Sequence, residues 1–137
     1  MANLKLATAL RNNRLDEITG LAGTSATIKI LSGTQPAGGG AETTVLATLT
    51  CDATAFAAAA SGGVLTLNGI TADSSAAATG TGTWWRLESS GSTFVLDGDV
   101  STVTAGTGDL QLDDTSIVLN GTVSLSGPNT FSDGNAS

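Results

Sequence analysis

At residue 26 the hydrophobic period of this chain changes from helical to two, and the remainder is built of short alternating runs separated by Gly, Ser and Thr. A period of two places successive side chains on opposite faces of a strand, so most of the chain is committed to β-structure. Ahead of the change, Leu4, Ala7, Leu10, Leu15, Ile18 and Leu21 recur at steps of three to five and predict a helix over residues 3–19. Asn3 is its expected N-cap and Gly20 its expected stop. Arg11, Arg14, Asp16 and Glu17 fall on or beside the polar side and read as a solvated face.

Strands are expected at 26–31, 45–49, 63–68, 83–88, 93–97, 108–112 and 116–119. Ser32-Gly-Thr-Gln-Pro-Ala-Gly-Gly-Gly40 is a flexible loop, and residues 53–61 are a connection anchored by Phe56. The clearest local prediction is a hairpin, with Ser89-Ser-Gly-Ser92 turning Thr83–Glu88 into Thr93–Asp97. Ile117, Leu119, Val123 and Leu125 share one face of the last run, with a bulge or turn at Gly121. About eight short strands, with turn signals about every 8–12 residues, predict an all-β, jelly-roll-like antiparallel sandwich preceded by one N-terminal helix. The organisation expected is a helix or arm over 1–20, a sandwich over 21–126 and an extended C-terminal arm over 127–137. Phe131 is that arm's only anchor.

A chain of 137 residues makes one domain. Its core material is thin, with three Phe, two Trp and no Tyr, and only 12% of residues are charged against about 25% in a typical domain. Disordered chains combine high charge with low hydrophobicity, so this one folds. Five cations against twelve acids give a net charge of −7, which repels nucleic acid. No run approaches the roughly 20 apolar residues of a membrane helix, so no membrane partner is expected. Cys51 is the only cysteine, which rules out an internal disulfide and suits a reducing cytoplasm.

The chain has no His, which removes Ser–His–Asp and Cys–His catalysis and every His-bearing zinc site. No P-loop and no dinucleotide fingerprint occurs. The chain therefore reads as a non-enzyme without cofactors. Asp97, Asp99, Asp109, Asp113 and Asp114 supply oxygens of the kind Ca²⁺ takes, but their spacing is not that of an EF-hand loop, and they read as solvated loop acids. On a strand, Trp84 and Trp85 must face opposite ways. Trp85 shares a face with Leu87 and is the core residue. Trp84, beside Arg86, is either covered by the helix or a loop, or serves as an interface anchor.

The order of segments carries a resemblance. Leu10-Arg-Asn-Asn-Arg-Leu-Asp-Glu-Ile18, Ile28-Lys-Ile-Leu-Ser-Gly-Thr-Gln-Pro36, Val45-Leu-Ala-Thr-Leu-Thr50, Ser61-Gly-Gly-Val-Leu-Thr-Leu-Asn68, Thr81-Gly-Thr-Trp-Trp-Arg86 and Phe94-Val-Leu-Asp-Gly-Asp99 succeed one another. Together they resemble small virion proteins of tailed phages and prophages, and within that group the jelly-roll capsid cement, or decoration, proteins. The similarity spans roughly residues 8–125. It implies a protein made in a bacterial cytoplasm that binds the major capsid protein on the outside of a head shell. The family has no catalytic residues to carry over. A receptor- or glycan-binding module of a tail or head fibre is the alternative, with Trp84 as its one candidate sugar platform. Trp84, Arg86, Leu15, Ile18 and Phe131 are the candidate interface residues, and a homo-oligomer, a dimer before a trimer, is expected because C₂ is the commonest closed symmetry.

Overall fold

A computed structural model describes residues 4–56, 60–126 and 129–132. The chain is β-rich with one helix: α1 (Thr8–Ala22), β1 (Thr27–Leu31), β2 (Val45–Cys51), β3 (Val64–Thr66), β4 (Ile70–Thr71), β5 (Gly80–Thr81), β6 (Trp84–Glu88), β7 (Phe94–Thr102), β8 (Leu110–Leu112), β9 (Ser116–Ile117) and β10 (Thr130–Ser132). Six strands form one curled sheet in the order β4-β2-β1-β6-β7-β8, and two ribbons, β3–β10 and β5–β9, complete the β-structure.

The sheet is mixed, which corrects the expectation of purely antiparallel pairing. β7 runs parallel to β8, with Val100 opposite Leu110 and Thr102 opposite Leu112. The connection between them turns back at 103–109 so that β8 re-enters alongside β7 in the same direction. The other pairs of the sheet are antiparallel, and the predicted hairpin stands. Ser89 and Ser92 close its turn through Ser92 N–H to Ser89 O at 2.9 Å, joining β6 to β7.

The helix begins later and runs further than its sequence pattern suggests; the expected N-cap, Asn3, lies outside the described residues. Gly20 does not stop it. A helix-interior glycine costs about 1 kcal/mol relative to alanine, and the helix tolerates it. The chain exits at Gly23, whose φ of 65° is the left-handed value glycine adopts freely, with its N–H on Thr19 O at 3.1 Å. The buried face is Arg11, Leu15 and Ala22, with Ile18 half-buried beside them. Leu10 and Leu21, predicted on the apolar stripe, are 47% and 66% exposed.

The polar residues of the helix are not simply solvated, because the segment before β3 lies across them. Asn12 Oδ1 accepts Gly63 N–H at 2.8 Å and Asp16 Oδ1 accepts Ala60 N–H at 2.6 Å. Arg11 is buried with its guanidinium against Gly63, where a Cβ would lie 2.8 Å from Cζ. The two backbone donors are held by side chains that periodicity alone assigns to water.

The core lies between the concave side of the sheet, the helix and the β3–β10 ribbon. Ile28, Ile30, Leu46, Leu49, Phe56, Leu65, Trp85, Leu87, Leu110 and Leu112 are all essentially inaccessible. Phe56 anchors the 53–56 connection as expected, bridging to Leu67. The alternating run after residue 116 breaks at a turn, Val118–Gly121, closed by Gly121 N–H to Val118 O at 2.8 Å. Leu119 is therefore 51% exposed, while Val123 bridges to Asp73 and Leu125 to Leu112.

Residues 130–132 fall within the expected free arm, yet they form a strand, with Thr130, Phe131 and Ser132 opposite Thr66, Leu65 and Val64. The reason is Phe131: in a core this short of aromatics its ring has a stacking partner waiting in Trp85. The rest of the expected arm, 127–128 and 133–137, lies outside the described residues.

Candidate functional site: the covered outer face of the sheet

β6 is buried along its whole length, on both faces. Alternation sends Trp85 and Leu87 into the core and Trp84, Arg86 and Glu88 to the opposite face. Register then aligns the neighbours there: Leu31 lies opposite Trp84, Lys29 opposite Arg86, and Thr27 opposite Glu88 across β1. On the other flank Asp97 of β7 lies opposite Arg86. Charged residues that are far apart in sequence thus meet on one patch of sheet.

Their contacts are short. Arg86 donates twice to Asp97, from Nε to Oδ1 at 2.7 Å and from Nη2 to Oδ2 at 2.9 Å, the bidentate geometry a guanidinium favours. Lys29 Nζ lies 2.8 Å from Glu42 Oε1 and 2.9 Å from Glu88 Oε2, and Arg86 Nη1 is 3.9 Å from Glu42 Oε1. The guanidinium also sits near two rings, with Cζ 5.3 Å from the Trp84 centroid and 5.1 Å from that of Phe94.

Protonation is set by these neighbours. The Asp97 hydrogen bond holds Arg86 above its ordinary pKa. For Lys29 burial pulls downward, but Glu42 and Glu88 outweigh it and the pKa is raised. Burial pushes the Glu42 carboxyl upward, yet hydrogen bonds with Lys29 and Glu88 and the charges of Lys29 and Arg86 win and hold it below the usual carboxylate range. Two cations thus face three carboxylates in a cluster that ties three strands and a loop together.

The loop is residues 32–44, which cross this face between β1 and β2. Trp84 Nε1 donates to Thr43 Oγ1 at 3.0 Å and to Ser32 O at 3.3 Å, and Thr43 Oγ1 in turn donates to Ser32 O. Thr83 Oγ1 donates to Gly33 O at 2.6 Å. Trp84 is left 1% exposed, so of its two expected readings loop cover is the one realised, and it is not a surface anchor. Arg86 is likewise 4% exposed.

The other three predicted interface residues gather on the opposite side of the sheet. Phe131 stacks on Trp85 at 5.1 Å with the rings 23° apart and meets Phe56 edge-on at 5.9 Å. Leu15 and Ile18 of the helix join Trp85, Leu96 and Phe131 around a pocket of about 230 Å³, with Asp97 and Asp109 also lining it. Trp85 Nε1 is buried there without a hydrogen-bond partner. Leu15 is buried in the core, and Ile18 and Phe131 pack half-buried against it.

The loop acids do not converge. Asp97 is committed to Arg86, Asp109 Oδ2 accepts Asp99 N–H at 3.2 Å, and Asp114 Oδ1 accepts Ser116 N–H at 2.8 Å. Among the described residues no group of three or more acids or cysteines gathers to hold a metal. The residues around Arg86, namely Lys29, Glu42, Glu88, Asp97 and Phe94, are not singled out by the sequence as its partners. A signal for three of them, and for Arg86 itself, is present: Lys29, Arg86, Glu88 and Asp97 are charges inside strand patterns, at positions that alternate with core residues. Comparison with protein-family models, with curated proteins and with solved structures returns no match to this chain.

Proposed function

We propose that this chain is a non-catalytic structural subunit that binds other protein, and that its place is the outer surface of a tailed-phage head, on the major capsid protein. The observation that carries the reading is the outward side of α1. Leu10 and Leu21, about three helical turns apart on one line, are 47% and 66% exposed, and Leu4 just before the helix is 76% exposed. Two large aliphatic side chains left in solvent on one line, flanking the exposed Arg14 and Glu17, are the apolar points such a contact would use. The exposed Val118 and Leu119 at a turn tip add a second apolar point. Two further features support the reading. The charges of the buried cluster pair with one another within the chain, and no helix among the described residues is long and apolar enough to cross a membrane.

The order of sequence segments supplies the phage-head assignment, and many weak copies acting together supply the avidity such a role needs. The jelly-roll description belongs to the same proposal: the curled sheet over two short ribbons is what an abbreviated two-layer sandwich would look like. The glycan-binding alternative loses its support, because Trp84 is covered and Phe94, at 39%, is the most exposed aromatic.

Co-sedimentation of the purified chain with expanded tailed-phage heads that lack their outer proteins tests the proposal. Binding should saturate and raise the temperature at which the heads rupture, and L10D/L21D should bind at least about tenfold more weakly (about 1.4 kcal/mol) while keeping its own unfolding midpoint. No binding to heads, or equal binding by L10D/L21D, would overturn it. A symmetric homodimer is part of the proposal, and light scattering of the free chain that shows monomer alone at high concentration would confine assembly to the shell.

A further inference from the structure

We infer that residues 32–44 are a releasable cover over Trp84 and Arg86, pinned at its roots by hydrogen bonds and latched by its one charge, the carboxylate of Glu42. The inference stands on contacts within the chain and does not depend on what the protein binds.

Trp84 and Leu31 are fully buried, yet neither belongs to the main core cluster; they lie on the sheet's other face. The 32–44 loop is what lies over that face, and it is poorly equipped to stay by apolar packing. Its sequence is Ser-Gly-Thr-Gln-Pro-Ala-Gly-Gly-Gly-Ala-Glu-Thr-Thr, with no apolar side chain larger than that of Pro36, and most of its residues are exposed. The tip rests on Phe94 through Gly39, whose φ of 75° and close approach (a Cβ would lie 3.3 Å from the ring's Cδ1) together favour glycine. The roots are pinned by Ser32 N–H to Thr44 O at 3.0 Å and by the Trp84 and Thr83 hydrogen bonds. Between roots and tip the loop carries one charge, and that charge is aimed at Lys29 and Arg86.

Neutralising Glu42 should open the cover without unravelling the sheet. The groups facing it are Lys29 from β1 and Arg86 and Glu88 from β6, with Asp97 of β7 behind Arg86. Each cation keeps a second partner when Glu42 is lost, Lys29 through Glu88 at 2.9 Å and Arg86 through both Asp97 oxygens. Glu42 is also the surplus charge, since three carboxylates face two cations. Its depressed pKa keeps the cover shut at neutral pH and places release below the ordinary carboxylate range. Opening bares Trp84 and Arg86 beside Phe94, which is already partly in solvent.

The test reads Trp84 and the loop amides in the full chain. In W85F, Trp84 is the only indole. Its acrylamide quenching should rise severalfold, with a red-shifted emission, between about pH 7 and about pH 3, before the sheet unfolds. Adding Glu42→Gln should give the open signal already at neutral pH. Hydrogen exchange on the chain with both tryptophans present repeats the comparison without touching the core: amides 34–43 of Glu42→Gln should lose at least about tenfold in protection while those of β1 and β6 keep theirs. Three results would overturn the inference: Trp84 as protected in the Gln variant as in the parent, an unchanged acid midpoint in that variant, or loop and sheet amides losing protection together.

Discussion

Gly98 shows how closely a single position of this molecule is fitted. It lies on β7 opposite Trp85, and a Cβ built there would sit 2.6 Å from Trp85 Nε1 and 2.9 Å from Asp109 Oδ2. A rigid buried indole cannot give way as a flexible side chain would, so Gly98→Ala should destabilise by about 1–3 kcal/mol. Gly91, in the β6–β7 turn with its nearest neighbour at 3.8 Å, is the control, and Gly91→Ala should stay within about 0.5 kcal/mol. Urea unfolding of the two variants checks both. Cys51 provides a second residue-scale prediction. It is buried, and burial with the nearby Asp52 charge pushes its thiol up to about 11 from an ordinary 9.0. The unfolded chain loses this proton first as pH rises, so the stability contribution is complete below about pH 9 and is lost through about pH 11, a fall of roughly 2–3 kcal/mol. Denaturant titrations at stepped alkaline pH should show that fall, and Cys51→Ala should flatten it. A thiol reagent at about pH 8 should label the chain only once it is unfolded.

At the scale of elements, the short tail strand matters more than its three residues suggest. Phe131 on β10 stacks on Trp85 and closes one wall of the core, so Phe131→Ala should lower stability by about 2–3 kcal/mol, somewhat less than the ~3–5 of a fully buried Phe because the ring is half-buried. Thermal unfolding measures it, and a loss under about 0.5 kcal/mol would return 130–132 to the role of a passive arm. The elements divide instructively by what is legible in the chain. The β6–β7 hairpin is readable because its two runs and its turn are adjacent, and all the chemistry involved is local. β10 is not, because three residues among Gly, Pro, Ser and Asn give no period, and its reason for existing is a ring contributed from β6. The helix is placed approximately but its stripe is split: aliphatic spacing picks Leu10, Leu15, Ile18 and Leu21 alike, whereas burial keeps Leu15 and Ile18, adds Arg11 and Ala22, and leaves Leu10 and Leu21 in solvent. The backbone donors of Gly63 and Ala60 need Asn12 and Asp16, and that need is invisible before the fold brings them together. The outer-face cluster is half legible. Strand alternation marks Lys29, Arg86, Glu88 and Asp97 as sharing an orientation, but only the strand order shows that they are neighbours, and nothing local points Glu42 at them.

Across the whole molecule, pH acts through the same cluster from both ends. Glu42 has a depressed pKa in the folded chain, so its contribution is present above the unfolded carboxylate value and is lost as pH falls through the folded one. Lys29 has a raised pKa, so its contribution is complete below its unfolded value near 10.5 and is lost as pH rises beyond it. The chain should therefore be flat in stability across neutral pH and soften at both extremes, with Glu42→Gln and Lys29→Met each removing one shoulder. Scanning calorimetry at stepped pH would show this, and a single broad maximum unchanged by both substitutions would refute it.

The strand order also has a consequence in time. β1 stands in the middle of the sheet, between β2 and β6, and it cannot find its second neighbour until the ribosome has passed β2 and delivered the chain through Glu88. Through that interval the β1–β2 hairpin presents Thr-Ile-Lys-Ile-Leu as an unpaired edge, the kind of template on which nascent chains pair with one another. Lys29, in the middle of that edge, is the one residue there that repels a second copy. Glu42 of the intervening loop is made before β2 and balances that charge in part; Glu88, the second carboxylate on Lys29, arrives only with β6, the strand that closes the edge.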